Sequence, residues 1–459
     1  MAVYLRLFDT ELQYNNARSN DYYEPWTSLV LENSGVSFNK SEEEKLLATP
    51  LTFEITSDGN IRWKTSSTAG TRTIEYKKND GEWTSITSTT GDSASSISVV
   101  SGDTVQFRGN NSSYSNVSYT ISFSASTAGF KLSGNIMSLI KSSGFEMENT
   151  LSSGRTFLGL FRACTGLTDA SQLILPATTL ADSCYRDMFG GCTSLTTAPE
   201  LPATTLTDSC YFYMFTGCTS LTTATELPAT TLANSCYQAM FSGCTSLTTA
   251  PALPATTLNK TCYSTMFAGC TSLTTAPELP VTTLESHCYY GMFAECKNLT
   301  TAPELPATEL TDYCYNSMFK GCTSLVNAPE LPAMTLANYC YQYMFSGCTS
   351  LTTAPELPAT ILANYCYHQM FIRCTSLTTA PELPATTLAN YCYNEMFRAC
   401  SKLNYIKCLA TSVSATNCKS NWVYGVASSG TFVKSPNITE STWGRSNSGI
   451  PSNWTVQDA

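Results

Sequence analysis

Apolar and polar positions along this chain recur with a fixed step. The stretch that starts at Leu227, Leu-Pro-Ala-Thr-Thr-Leu-Ala-Asn-Ser-Cys-Tyr-Gln-Ala-Met-Phe-Ser-Gly-Cys-Thr-Ser-Leu-Thr-Thr-Ala-Pro, appears nine times with small changes. Its first cysteine falls at 184, 210, 236, 262, 288, 314, 340, 366 and 392, always 26 residues apart. A second cysteine follows each after eight positions, from Cys192 to Cys400. Such a period predicts stacked units, each too small to bury its own apolar face. Within one unit, Leu232, Cys236, Met240 and Tyr237, Phe241, Cys244 step by three and four. That spacing predicts a helix of roughly three turns, closed at Gly243. Leu247 to Leu253 predicts a short extended segment, limited by Pro251 and Pro254. The fold class expected is a mixed α/β solenoid of 26-residue period. Equal positions of successive coils should then form columns about 4.8 Å apart, and nine coils should run about 45 Å. The columns Tyr185 to Tyr393, Met188 to Met396, Phe189 to Phe397, Leu195 to Leu403 and both cysteine series are the expected core.

The pattern differs on either side of the repeats. From Leu51 to Ser124, short alternating runs such as Leu51-Thr-Phe-Glu-Ile and Thr104-Val-Gln-Phe-Arg are separated by turn signals at Asp58-Gly, Asn79-Asp-Gly and Ser101-Gly-Asp. They predict a small all-β sandwich domain at 51–128, immunoglobulin-like in architecture. Residues 129–175 read as an N-terminal cap, because Phe157 to Leu167 matches the second half of a repeat at an irregular spacing of 28 from Cys164 to Cys192. The solenoid proper spans 176–403, and 404–459 reads as a C-terminal cap with strands near Tyr405 and Thr431 and a short helix over 417–426. Residues 1–50 read as an arm or attachment region, with a polar and aromatic stretch from Asn15 to Trp26.

Composition then narrows the chemistry. A net charge of −10 argues against nonspecific nucleic-acid binding, which needs a basic face. Only 13% of residues are charged, so the surface is neutral and rich in hydroxyls. A count of 21 cysteines is in the range of a disulfide scaffold. Two cysteines eight apart on a helix would lie roughly 12 Å apart, however, and a bridge needs Cα atoms within about 7 Å. They are expected to be free, buried thiols made in a reducing or anoxic setting. There is no Cys-x-x-Cys pair and there are two histidines, His287 and His368, so no metal or cofactor is expected. The first residues show no signal-peptide pattern, and no run of 18 apolar residues occurs, so no membrane insertion is expected.

The run Met240-Phe-Ser-Gly-Cys-Thr-Ser-Leu247, followed by a short strand and proline, resembles the BspA-type leucine-rich repeat, and eight near copies carry the same spacing. The resemblance covers roughly 155–405, and the constant 26-residue unit is a variant of the family's usual length. It implies a surface protein of the kind found in bacteria and some protists, involved in adhesion to host proteins or other cells. The threonine-rich repeats, with an ending like Gly449-Ile-Pro-Ser-Asn-Trp-Thr-Val456, are similar to proteins of gut Bacteroidales and of their phages. Together with the missing secretion signal, this favours a phage virion component, tail or fibre-like, over a bacterial cell-surface adhesin or a purely structural virion spacer. The partners implied are a cell-surface glycan or protein of a bacterial host for the solenoid, and other virion or surface proteins for the N-terminal region. Oligomeric state stays open.

No catalytic constellation emerges, and the chain is not expected to be an enzyme. Ser138-x-x-Lys141 lacks companion motifs, and no glycine-rich phosphate loop occurs. Two features mark candidate binding surfaces. One is an acidic column, Glu200, Glu226, Glu278, Glu304, Glu330, Glu356 and Glu382, broken once at Ala252. The reading preferred for this column is a solvated row copied with the unit. The other lies where the copies differ, between Cys-Tyr and Met-Phe, on the face expected to point away from the core. Phe212, Tyr213, Tyr290 and Tyr343 stand there, and aromatic residues at such sites often anchor contacts.

Overall fold

The computed structural model describes residues 41–90 and 95–459 and, within the first forty residues, the backbone of four strands. Strands β1 (Val3–Phe8), β2 (Glu11–Asn16), β3 (Thr27–Glu32) and β4 (Gly35–Phe38) pair in chain order as an antiparallel sheet. The side chains of the expected attachment segment lie outside the described residues. Helix α1 (Glu42–Leu47) follows, and the acidic run at its start is a capping box. Ser41 Oγ accepts from the Glu44 N–H at 3.1 Å, while the Glu44 carboxylate accepts from the Ser41 N–H at 2.9 Å.

The next part of the chain forms strands β5 (Leu51–Ser57), β6 (Gly59–Arg62), β7 (Lys64–Thr65), β8 (Thr73–Lys78), β9 (Thr84–Thr87), β10 (Ser96–Val99), β11 (Thr104–Arg108), β12 (Ile121–Ser122), β13 (Gly129–Asn135) and β14 (Leu167–Ile174). Six of them make one sheet in the order β14-β13-β5-β11-β8-β9, and β10-β6 and β12-β7 are two-stranded ribbons. Phe53, Trp63, Phe107 and Phe123 fill the core beneath, with Phe123 4.7–4.8 Å from each of the other three rings. The expected boundary at 128/129 does not separate two bodies. Strand β13 pairs antiparallel with β5 on one edge and parallel with β14 on the other. The β-rich unit and the first coil therefore share a sheet, and the unit itself closes the end of the array.

The coils stack as the period requires, but the segment expected to be helical is not a helix. In Ser209–Cys218 the N–H groups alternate in direction. Those of Cys210, Phe212, Met214, Thr216 and Cys218 donate three residues back within the coil, at 3.1–3.3 Å. Those of Tyr211, Tyr213, Phe215 and Gly217 donate to Cys236, Gln238, Met240 and Ser242 of the next coil, at 2.7–3.1 Å. Every fourth residue adopts a left-handed conformation: Ser209, Tyr213 and Gly217 have φ of 57°, 59° and 69°. The segment is thus a run of four-residue turns. Its buried positions recur at four residues, as in Cys210/Tyr211, Met214/Phe215 and Cys218. An α-helix would have kept every interior N–H within the coil, and the next coil would have had no backbone to bind. The extended segments are also shorter than expected. Between most coils they reduce to single parallel bridges such as Thr223↔Thr249 and Thr231↔Thr257. The mixed α/β class is therefore corrected to a β- and turn-rich array.

Two aromatic columns run the length of the core. Tyr211 and Tyr237 have ring centroids 5.9 Å apart and planes 7° apart, and Phe215 and Phe241 are at 5.6 Å and 8°. At the N-terminal end Tyr114 stacks on Phe157 at 6.2 Å and Phe123 on Phe161 at 5.8 Å, so the columns continue into the β-rich unit. At the other end a single indole, Trp422, lies 6.1 Å from both Tyr393 and Phe397, and Trp443 stacks on it at 5.7 Å. Coiling outlasts the sequence repeat there. Strands β15 (Tyr405–Cys408), β16 (Thr431–Lys434) and β17 (Thr455–Asp458), with α2 (Glu440–Trp443) between the last two, form a parallel sheet in chain order. The short helix expected over 417–426 is again a run of turns.

All 21 cysteines are free and buried, as the spacing predicted. The second series has a bonding role. Cys244 Sγ donates to the Phe215 carbonyl of the preceding coil at 3.1 Å, and that carbonyl also accepts from the Cys218 N–H at 3.1 Å. A thiol is small and apolar enough for the core, yet supplies a weak donor to the second lone pair. Burial pushes the thiols of Cys192, Cys244 and Cys296 up to about 12.

This predicts alkaline unfolding. Below the unfolded thiol pKa of about 8.5 the protonated core is fully stable. Above it the unfolded chain releases protons that the native chain keeps, so stability falls as pH rises towards 12. Each such thiol contributes a slope of about 1.4 kcal/mol per pH unit. A steep, many-proton loss of circular dichroism between about pH 9 and 12 is expected; a flat profile to pH 12 would contradict the buried-thiol core. Separately, the Tyr341 hydroxyl is buried without a partner among the described residues. Tyr341→Phe should therefore leave stability unchanged or raise it by up to about 1 kcal/mol in thermal unfolding.

Candidate functional site

The seven carboxylates of the acidic column are all exposed. Glu382 pairs with Lys407 at 3.0 Å, and the other six make no ion pair among the described residues. Prolines flank six of the seven on both sides in the run Pro-Glu-Leu-Pro, Glu226 following Thr225 instead, which leaves shallow hollows between coils. One of about 390 Å³ is lined by Pro303, Glu304, Pro306, Pro329, Glu330 and Pro332.

The four aromatic candidates separate into two groups. Phe212 and Tyr213 lie edge to face at 4.1 Å, and the Arg186 guanidinium from the previous coil sits 4.5 Å from the Phe212 ring. Tyr290 and Tyr343 lie far along the array, in a larger group. Tyr290 is 5.8 Å from His287, and Tyr343 is 5.5 Å from His368 with Lys320 5.6 Å away on its ring. Tyr213 and Tyr343 both take the second left-handed position of the coil, with φ of 59°.

Between those two residues runs a feature that sequence reasoning missed. His287, Tyr313, Tyr339, Tyr365 and Tyr391, each immediately before the first cysteine of its coil, stack into one half-exposed column. Their centroids are 4.4, 4.5, 4.5 and 4.4 Å apart, and their planes differ by 5–15°. That is closer than the 5.4–6.1 Å of the buried columns. The earlier coils carry Ser183, Ser209, Ser235 and Thr261 at this position. The switch to Asp312-Tyr-Cys-Tyr and Asn338-Tyr-Cys-Tyr was the available signal.

The position is left-handed in every coil, with φ of 58–62° from His287 to Tyr391. An L-residue with a Cβ pays roughly 1–2 kcal/mol there, and stacking returns roughly 0.5–1.5 kcal/mol per pair. Serine and threonine pay the same cost in the first coils, with φ of 52–57°, so the column's margin over them is the stacking itself, roughly 0.5–1.5 kcal/mol per pair. Carboxamides flank it on both sides. Asp312 Oδ1 accepts from the Asn338 N–H at 2.9 Å, Asn364 Oδ1 from the Asn390 N–H at 3.2 Å, and Asn390 Oδ1 from the Thr416 N–H at 3.0 Å. On the other side Asn316 Nδ2 donates to Gln342 Oε1 at 2.7 Å. Burial lowers the pKa of His287 and His368, opposed by Asp312 and Glu395. Both His368 ring nitrogens are buried without a partner among the described residues. Partial desolvation in the stack, then the neighbouring phenols, raise Tyr339 and Tyr365. Apart from Asp312, the column and its two flanks contain no carboxylate, lysine or arginine.

Residues 160–300 and 314–442 match the model of the BspA type leucine-rich repeat region, in six copies. The chain belongs to this family. No curated protein and no solved structure matches it. In this BspA-type array the family's phenylalanine, cysteine and leucine positions are the buried columns, and the candidate contacts stand on the turn edge outside them. Among the described residues no helix is long and apolar enough to cross a membrane.

Because the first coils fold with serine at the column position, Tyr339→Ser with Tyr365→Ser should lower stability by no more than about 2 kcal/mol per site, the stacking lost with the rings. Denaturant unfolding checks this, and a loss above about 3 kcal/mol per site would make the column part of the core instead.

Proposed function

We propose that this BspA-type protein is a non-enzymatic recognition or adhesion protein, in which the stacked coils present a contact surface and the β-rich end joins it to a larger assembly. The observation that carries this reading is a contrast within the repeats. The buried columns are copied from coil to coil, while exposed or half-exposed aromatic residues, Phe212, Tyr213, Tyr290, Tyr343 and the tyrosine column, are confined to particular coils. A surface without a ligand has no physical need of aromatic residues in left-handed conformations, and aromatic side chains dominate binding hot spots.

The setting we favour is a phage particle, with the chain as a tail or fibre-like component facing a bacterial host. Twenty-one free thiols in the core support folding in a reducing cytosol, where virion proteins are made. The host ligand would be a cell-surface glycan or protein, and the N-terminal region would dock on other particle proteins. Full-length protein should bind cells of gut Bacteroidales saturably and be detected in purified phage particles by mass spectrometry. Presence in particles with no binding to any cell would leave a structural spacer. Presence on bacterial envelopes and not in particles would make it a bacterial adhesin.

A further inference from the structure

The stacked column has features that narrow the ligand, on the recognition reading above. Its ring faces are occupied by each other, so a partner meets ring edges, phenol hydroxyls and the flanking carboxamides. The Oδ1 atoms of Asn364 and Asn390 accept from the Asn390 and Thr416 N–H groups, while their Nδ2 groups make no hydrogen bond to the described residues. The ring edges repeat in register over four successive spacings of 4.4–4.5 Å. A protein partner would be anchored by an apolar patch with a dry centre. The large exposed aliphatic residues of the array, Val326, Met334 and Ile361, stand instead at the threonine positions of their coils, away from the cysteine-flanking turns. A charged polymer would need a row of opposite charge, and the strip has none: Asp312 is the one charged member of its flanking carboxamide row, and the acidic column belongs to the Pro-Glu-Leu-Pro segment.

We propose that His287, Tyr313, Tyr339, Tyr365 and Tyr391, with Asn338, Asn364 and Asn390 beside them, form the binding line for a neutral glycan chain lying along the array axis. The coils of Tyr339, Tyr365 and Tyr391 each offer the chain the same set, a phenol hydroxyl, a carboxamide and an apolar ring edge, while those of His287 and Tyr313 offer a ring edge beside Ser286 and Asp312. Single contacts of this kind are weak, but a polymer engages several at once, and each after the first is made at high effective concentration. The line therefore favours long chains over short oligosaccharides. Coils with serine or threonine at this position, up to Thr261, lie outside it.

The test uses the full chain in native gels cast with dextran, laminarin, yeast mannan or xyloglucan, with dextran sulfate and gelatin as charged and protein probes. Retardation is expected with at least one neutral glycan, more by long chains than by short ones of the same sugar. The pair Tyr339→Ser and Tyr365→Ser, which restores residues found in the first coils, should weaken binding tenfold or more in a protein that still unfolds cooperatively above the assay temperature. The pair Tyr339→Phe and Tyr365→Phe should give an intermediate loss by removing the hydroxyls alone. Thr204→Ala with Thr230→Ala, at exposed positions outside the line, should have no effect. No retardation by any neutral glycan, retardation by gelatin or dextran sulfate only, or full binding by the serine pair would overturn the assignment. Cell binding that survives in the serine pair would overturn it as well, while leaving recognition by the array intact.

Discussion

The alternation of backbone hydrogen bonds between coils is the constraint on which the rest of this protein depends. In each turn segment every second N–H has its partner in the following coil, as Tyr211, Tyr213, Phe215 and Gly217 have in Cys236, Gln238, Met240 and Ser242. A coil alone would leave these groups unpaired, and unpaired buried amides are costly. No coil can fold without a neighbour, and each end needs a cover. The β-rich unit provides one through β13 and β14, with Tyr114 and Phe123 continuing the ring columns. Two irregular coils provide the other, where Trp422 spans both columns at once and Trp443 shields it. The two caps solve one problem with unrelated sequences.

The left-handed residues are the cost of that bonding pattern, and they explain the choice of side chains around it. Glycine fills the third left-handed position in many coils, as at Gly217 and Gly243, with φ of 69° and 74°. The second cysteine sits beside it and closes the remaining lone pair of a phenylalanine carbonyl one coil back. A larger apolar residue would overpack the column, and alanine would leave the carbonyl without its second donor. The density of cysteine is thus a packing and hydrogen-bonding requirement of stacked turns, with no part for disulfides.

A core that is identical in every coil leaves the surface free to vary without loss of fold. The turn edge uses this freedom twice, in the Arg186, Phe212 and Tyr213 group and in the column that begins at His287. Stacking at 4.4–4.5 Å offsets the left-handed strain of its tyrosines, so the column can be held on the surface at little net cost in stability. That combination permits a long contact line on a scaffold that does not need it.

The sequence by itself determined the 26-residue coil and the tyrosine, methionine, phenylalanine, cysteine and Leu195–Leu403 columns, because a strict repeat that places like on like leaves one register for the stack; the buried columns that run through Leu201 and Ala203 were not among those it pointed to. It also placed the acidic column on the surface, where all seven carboxylates lie. It did not determine the conformation of the turn segment. Over about a dozen residues a spacing of four and one of 3.6 bury nearly the same side chains, and what separates them is where the N–H groups find acceptors. Those acceptors lie 25 residues further on, as Cys236 does for Tyr211, so only the stacked structure could decide. The same holds for the surface column: Tyr313 and Tyr315 look alike on either side of Cys314, and the left-handed turn sends one ring into the core and the other to the edge.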